Sequence, residues 1–220
     1  MPRTAGFEQR IWQFGMHVLG LVGGIASGKT TVAQQLAERG ALVLDADQAA
    51  HEVINTQEIR EKLVKRWGEE ITLDTGGIDR KAIAAKVFED SPSGAVNLDY
   101  LEQLLHPRIR QRFEAELAKL AHNQTTIAVV DAPLLFEAGW ANLCDSVVFV
   151  DCPLEIRQER AGGRKWTPTQ FTAREASQMP IKEKKQAATH VLNSGGSLHD
   201  LSAQVDALWT SLHLDTDKTL

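Results

Sequence analysis

The sequence predicts an α/β protein built around a phosphate-binding loop, with a large helical insertion after its second strand. Three observations predict this. Gly23-Gly24-Ile25-Ala26-Ser27-Gly28-Lys29-Thr30 has the form G-x-x-x-x-G-K-[ST], set between an apolar run and a helical period. Five short apolar runs recur along the chain, separated by amphipathic stretches. Between the second and third runs, from Gln48 to about Gln124, no convincing strand occurs.

The first run is Val18-Leu19-Gly20-Leu21-Val22, and the helix after the loop reads from Thr31 to Arg39. Strand, glycine-rich loop and helix in that order are the context the motif requires. The glycines let backbone N–H groups turn toward phosphates, and the helix N-terminus adds partial positive charge. Lys29 can reach β- and γ-phosphates, and the Thr30 hydroxyl can ligate Mg²⁺.

Residues 1 to 16 carry Pro2, Gly6 and Gly15 without a clear period and read as an N-terminal extension. Ala41-Leu42-Val43-Leu44 reads as the second strand, entered through Gly40 as a helix C-cap and ending in Asp45-Ala46-Asp47. Ligands of doubly wound sheets sit beyond the carboxyl ends of the strands. One or both carboxylates should therefore lie beside the loop, unless they cap the next helix. In the insertion, Ile59, Leu63, Val64 and Trp67 share one helical face. Leu101, Leu105, Ile109, Phe113, Leu117 and Leu120 share another, and Pro107 should kink that helix or start a new one.

The third strand, Ile127-Ala128-Val129-Val130-Asp131, has the Walker B form: an apolar strand ending in a carboxylate. The fourth runs from Ser146 to Val150. Arg157, Arg160 and Arg164 then fall at i, i+3 and i+7, and Gly162-Gly163 should break their helix and leave Arg164 on a mobile loop. Arginines beside a flexible joint suit a lid over phosphates, against the alternative of a solvated basic face. The phosphate loop favours the lid for Arg160 and Arg164. A helix from about Thr172 to Ala188 leads to a fifth strand, His190-Val191-Leu192. Leu198, Leu201, Val205, Leu208 and Trp209 form a closing helix, with a polar, frayed tail from His213.

Composition narrows the function classes. The chain has 220 residues, 43% of them hydrophobic, and a net charge of -5. That charge argues against nucleic acid or an anionic membrane as the main partner. No apolar run approaches the roughly 18 residues of a membrane span. Two cysteines, Cys144 and Cys152, and no signal-peptide pattern fit a reducing, cytoplasmic setting, with both thiols buried and inert. No N-K-x-D motif marks a GTPase. A compact core, a large insertion and an arginine lid fit a small-molecule kinase. The alternatives are another nucleoside or nucleotide kinase and a nucleotide-binding regulator without catalysis.

The motifs together resemble those of dephospho-coenzyme A kinases: the loop Gly23 to Thr31, Asp45-Ala46-Asp47, Leu105-His106-Pro107, Pro133-Leu134-Leu135-Phe136-Glu137, and Gln178-Met179-Pro180 with Lys184-Lys185. They occur in that family's order from about His17 to Trp209. The resemblance implies a P-loop NTPase three-layer fold with a five-stranded parallel sheet, a helical acceptor-binding insertion and a lid. It implies a core over 17–47 and 125–212, a lid at about 160–175, a coenzyme A-binding insertion over 48–124 and a tail over 213–220. The implied reaction transfers the γ-phosphate of ATP to the ribose 3′-hydroxyl of dephospho-coenzyme A, with Mg²⁺.

Residue by residue, the resemblance makes Asp47 the base, and gives Lys29, Arg160 and Arg164 catalytic roles. Gly24, Ile25, Ala26, Ser27, Gly28, Lys29, Thr30 and Thr31 would hold the ATP phosphates, Thr30 would meet the metal, and Arg80 and His106 would lie on the acceptor side. The expected partners are ATP and dephospho-coenzyme A, in a monomer or small homo-oligomer. Three positions depart from the family pattern. Ala26 replaces a usual glycine, harmless where its φ is negative. Lys165 stands where an acid commonly follows the lid arginine. Asn193 and Ser194 straddle the position of an adenine-side asparagine.

Overall fold

The computed structural model describes residues 15–89, 91–123 and 126–217. The extension therefore lies outside the described residues as far as residue 14, and Met16 is buried against the core. The chain forms two compact units. One holds the chain to Asp45 and from Glu114 onward; the other is Ala46–Phe113.

The first unit carries one sheet of five parallel strands in the order β2-β3-β1-β4-β5. The strands are β1 (His17–Gly23), β2 (Leu42–Asp45), β3 (Ile127–Asp131), β4 (Ser146–Asp151) and β5 (His190–Asn193). The three central strands are buried almost end to end. That is why their sequences are apolar runs rather than alternating patterns. The edge strands β2 and β5 are partly exposed.

On one face, Leu19, Leu21, Val129, Val148 and Val150 pack with Val32 and Leu36 of α1 (Lys29–Glu38). Leu201, Val205 and Leu208 complete this core, from the helix Leu198–Asp217 that closes the chain. That last helix runs to Asp217, past the His213 boundary drawn from the polar composition of the tail.

The second unit is helical. It contains α2 (Ala46–Ile54), α3 (Gln57–Trp67), α4 (Arg80–Val87) and the first turns of α5 (Pro92–His122). Its one extended pairing is an isolated antiparallel bridge between Thr72 and Ile78, among the described residues. Ile59, Leu63, Ile71, Ile83, Leu105 and Ile109 are buried. Trp67 packs edge-on against Tyr100 at 5.8 Å and donates its Nε1–H to Asn97 Oδ1 at 3.2 Å. Pro107 lies inside α5 and starts no new helix. A proline removes one internal N–H bond. Buried Leu104, Leu105, Ile109 and Phe113 hold the turns on both sides.

Three further helices complete the first unit: α6 (Leu154–Gly163), α7 (Pro168–Ala176) and α8 (Ile181–Ala187). The closing helix is α9. Two sequence expectations change here. Gly162 and Gly163 form the last turn of α6 instead of breaking it, because buried Ala161 accepts from both Arg164 N and Trp166 N. The expected helix from Thr172 to Ala188 is two helices, separated where Pro180 adopts an extended ψ of 135° and opens α8. α7 is fixed at its start by a capping box between Thr167 and Gln170.

Candidate active site

The phosphate loop joins the end of β1 to α1. Gly28 is the N-cap, with φ +90°, and its carbonyl accepts from Thr31 N and Val32 N. Ala26 also has a positive φ, +58°. The condition under which this departure from the family glycine would be harmless, a negative φ, is therefore not met. The left-handed geometry is imposed by the loop, and a non-glycine residue carries it at a cost of about 1–2 kcal/mol. Left-handed residues within a turn aim successive N–H groups into one concavity, which binds anions.

The carbonyls of the same loop are engaged by neighbouring elements. Ser27 O is approached by the Ser194 hydroxyl and by Arg160 Nη1 at 3.4 Å. Ile25 O is approached by Arg157 Nη1 at 3.5 Å. The Ser27 hydroxyl is buried and lacks a hydrogen-bond partner among the described residues; it lies against Gly23, where a Cβ would come within 2.5 Å of it.

Lys29, the first residue of α1, pairs with Asp131 at the end of β3. Asp131 is buried, and in register it stands beside Leu21 of β1 and Asp45 of β2. The carboxylate of the Walker B position thus holds the loop lysine. Thr30 is exposed at the start of α1.

Arg160 sits on the body of α6. Its Nη2 donates to Ser194 O at 2.8 Å, and its Nη1 lies 3.3 Å from where a Cβ on Gly28 would be. Arg164 caps the helix and is exposed, and Lys165 follows with φ +64°. Of the three spaced arginines, Arg157 is the buried one. It pairs with Glu175 of α7, and Phe171 lies beneath its guanidinium at 5.6 Å. Sequence reasoning left Arg157 on a solvated face. Its helical spacing was visible, but its partner lies on another helix.

On the opposite rim, Ser194 is buried, and its N–H donates to Asp151 O at 2.8 Å. Asn193 Oδ1 accepts from Gly195 N at 2.8 Å. The Asn193 side chain is thus tied to the loop after β5, while the Ser194 hydroxyl donates to Ser27 O of the phosphate loop and lies 3.2 Å from Asp151 O.

Behind the site lies a buried ammonium that sequence reasoning quoted but gave no role. Lys184 is 1% exposed and donates to Pro133 O at 2.6 Å and Gln178 Oε1 at 3.1 Å. It pairs with Glu137 at 2.9 Å, and Glu137 accepts from Met179 N at 2.7 Å. The segment after Asp131 is thereby tied to the joint between α7 and α8. The Cys144 thiol is pushed up to about 12 by burial, with the Asp145 charge adding to it.

In the second unit, Asp47 is the second residue of α2 and exposed, two residues past the end of β2. Arg80 opens α4 and is exposed; its N-cap, Asp79, accepts from Lys81 N. His106 lies one residue before Pro107 in α5 and is partly buried. Among the described residues, no helix is long and apolar enough to cross a membrane.

The model of the dephospho-CoA kinase family matches residues 17–200. A dephospho-CoA kinase of Deinococcus radiodurans is 41% identical over 198 residues, covering 89% of this chain and 92% of that protein. A Thermus thermophilus structure, TT1252, aligns with a TM-score of 0.74 at 35% identity, over 90% of this chain and 98% of its own. The structure of a Campylobacter jejuni dephospho-CoA kinase aligns at 0.66 and 25% identity, over 89% and 96%. With the family model covering the phosphate loop and all five strands, the chain belongs to the dephospho-CoA kinase family.

Proposed function

We propose that Lys29, Thr30, Asp47, Arg160 and Arg164 carry the family's reaction in this chain: transfer of the ATP γ-phosphate to the 3′-hydroxyl of dephospho-coenzyme A, giving coenzyme A. The single observation that carries this reading is the loop itself. Ala26 and Gly28, both with positive φ, curl its backbone between β1 and α1, while the carbonyls of Ile25 and Ser27 are engaged by Arg157, Arg160 and Ser194.

Transfer passes through a loose transition state, so positioning and charge neutralisation do most of the work. Lys29 supplies a positive charge from a site already fixed by Asp131. Arg160 stands at the Gly28 end of the loop, and Arg164 lies where α6 meets the lid segment. Asp47 accepts the proton of the attacking hydroxyl late in the transfer. Asn193 and Ser194 border the adenine, and Arg80 and His106 serve the acceptor. The helical segment 48–124 is the natural holder of that acceptor, being free of phosphate-loop elements.

The oxygen-bearing side chains at the strand ends suit a hard cation. Thr30, Asp131 and Asp45 offer hydroxyl and carboxylate oxygens. Mg²⁺ binds through few protein oxygens, water and substrate phosphates. When bound, it neutralises charge on the β- and γ-oxygens. The protein is expected in the cytoplasm, where both substrates are small soluble molecules.

The test is ADP release measured with dephospho-coenzyme A, AMP, uridine and no acceptor. Release that depends on dephospho-coenzyme A supports the reading. Equal release with AMP or uridine points to a broader nucleoside kinase. ATP binding without acceptor-dependent release points to a regulator.

A further inference from the structure

We infer that Arg157 is a positioning residue that sets the shape of the phosphate loop and links that shape to the docking of α7. The inference deepens the proposed function and rests on it for the identity of the nucleotide. Four observations meet at this side chain. Its Nε donates to Cys152 O at 3.2 Å, which fixes it to the end of β4. Its Nη1 faces Ile25 O at 3.5 Å. A Cβ on Gly24 would lie 2.9 Å from the same Nη1, so the guanidinium rests close against the loop backbone at Gly24. Glu175 of α7 accepts from the same Nη1, and Phe171, also on α7, lies against the face of the group.

A guanidinium offers five N–H donors in a rigid plane, so one side chain can brace three elements at once. Here the three are β4, the phosphate loop and α7. Engaging Ile25 O from outside keeps that peptide from turning its carbonyl toward the anion. The charge is balanced by Glu175, which itself belongs to the lid region. When α7 undocks, Arg157 loses its carboxylate and its aromatic support together. The loop then loses its brace. Lid position and loop geometry become one equilibrium, with Arg157 as the shared part. Arg160 and Arg164 differ from it: Arg160 lies at the Gly28 end and Arg164 is exposed.

The test compares the full chain with Arg157→Met, Glu175→Gln and the double variant. Each is measured for melting temperature, for ATP affinity from the ATP-dependent rise in melting temperature, and for kcat and KM. Arg157→Met alone strands a carboxylate and should melt lower. The double variant strands no charge and should recover most of that loss. Its kcat/KM for ATP should nevertheless stay roughly 10- to 100-fold below wild type, because the loop is displaced. Glu175→Gln keeps the contact to Ile25 O and frees α7. It should lower kcat more than it weakens ATP.

A double variant that regains both stability and wild-type kcat/KM makes Arg157 a structural strut and overturns the inference. So does a Glu175→Gln protein with unchanged kcat. A wild-type chain without dephospho-coenzyme A-dependent turnover fails the functional reading instead. The loop half is then still decided by ATP affinity: equal affinity in wild type and double variant overturns it.

Discussion

Replacing Lys184 by methionine should destabilise the first unit strongly, and the size of the loss follows from its contacts. The ammonium is shared by Pro133 O, Gln178 Oε1 and Glu137, and the side chain is 1% exposed. Methionine occupies much of the same stem volume, so little cavity forms. What remains is a carbonyl and an amide oxygen without their donor, and a carboxylate without its counter-charge. Breaking a fully buried pair costs about 3–5 kcal/mol. Glu137 is 23% exposed and keeps the Met179 N–H, which moderates the loss. We expect about 2–3 kcal/mol, in the range of a charge-assisted hydrogen bond plus a stranded acceptor. Urea unfolding reads this directly. With a slope of about 2–3 kcal/mol per molar, the midpoint should fall by about 1 M. Lys184→Met with Glu137→Gln should regain at least half of the shift, since no charge is stranded. A midpoint within about 0.2 M of wild type, or a double variant no better than the single, would refute the reasoning.

Other outcomes follow from the same site. Ala26→Gly should raise the melting temperature by about 1–3 °C, because relief of the left-handed cost exceeds the added chain entropy; a lower melting temperature overturns this. Asp47→Asn should lower turnover by roughly 10² to 10⁴ while ATP still protects against heat; near-normal turnover in a stable variant ends the assignment of Asp47 as base. Burial raises the folded Cys144 thiol to about 12. Its contribution is therefore fully present below the unfolded thiol value of about 8.5, and is lost as pH rises through that window. Between pH 9 and pH 10.5, wild type should lose about 1–2 kcal/mol more than Cys144→Ala; identical slopes would remove the thiol from the account.

The parts of this fold visible in the sequence are those fixed by local chemistry. β1, β3 and β4 are covered on both faces, so their strands stand out as apolar runs, and Ile127–Asp131 matches residue for residue. The phosphate loop is legible because its backbone demands glycine at Gly28, where φ is +90°. The sign of φ at Ala26 was not legible, since alanine is neutral to the question and the loop decides it. Pro180 did carry a signal, because proline inside a helix is a breaker, and the amphipathic period across it masked the division into α7 and α8. Gly162 and Gly163 stay helical because buried Ala161 anchors the final turn, which is tertiary information. Arg157 and Lys184 look like any surface cation in sequence. Arg157 is buried by contacts 18 and 132 residues away, and Lys184 by one 51 residues away.

The strand order also dictates when this protein can begin to exist. β1 is the middle strand and the first of the five to be made, yet it does not pair with β2, the next strand in sequence. Leu19 must wait for Val129 on one side and Ser146 on the other. A ribosome that has finished the phosphate loop has therefore produced a strand with two open edges and no partner. Closing such distant pairs is slow, because the entropy of a long loop is lost before any ladder bond rewards it. Until the chain passes Asp151, the apolar run from Val18 to Val22 is the segment most in need of cover.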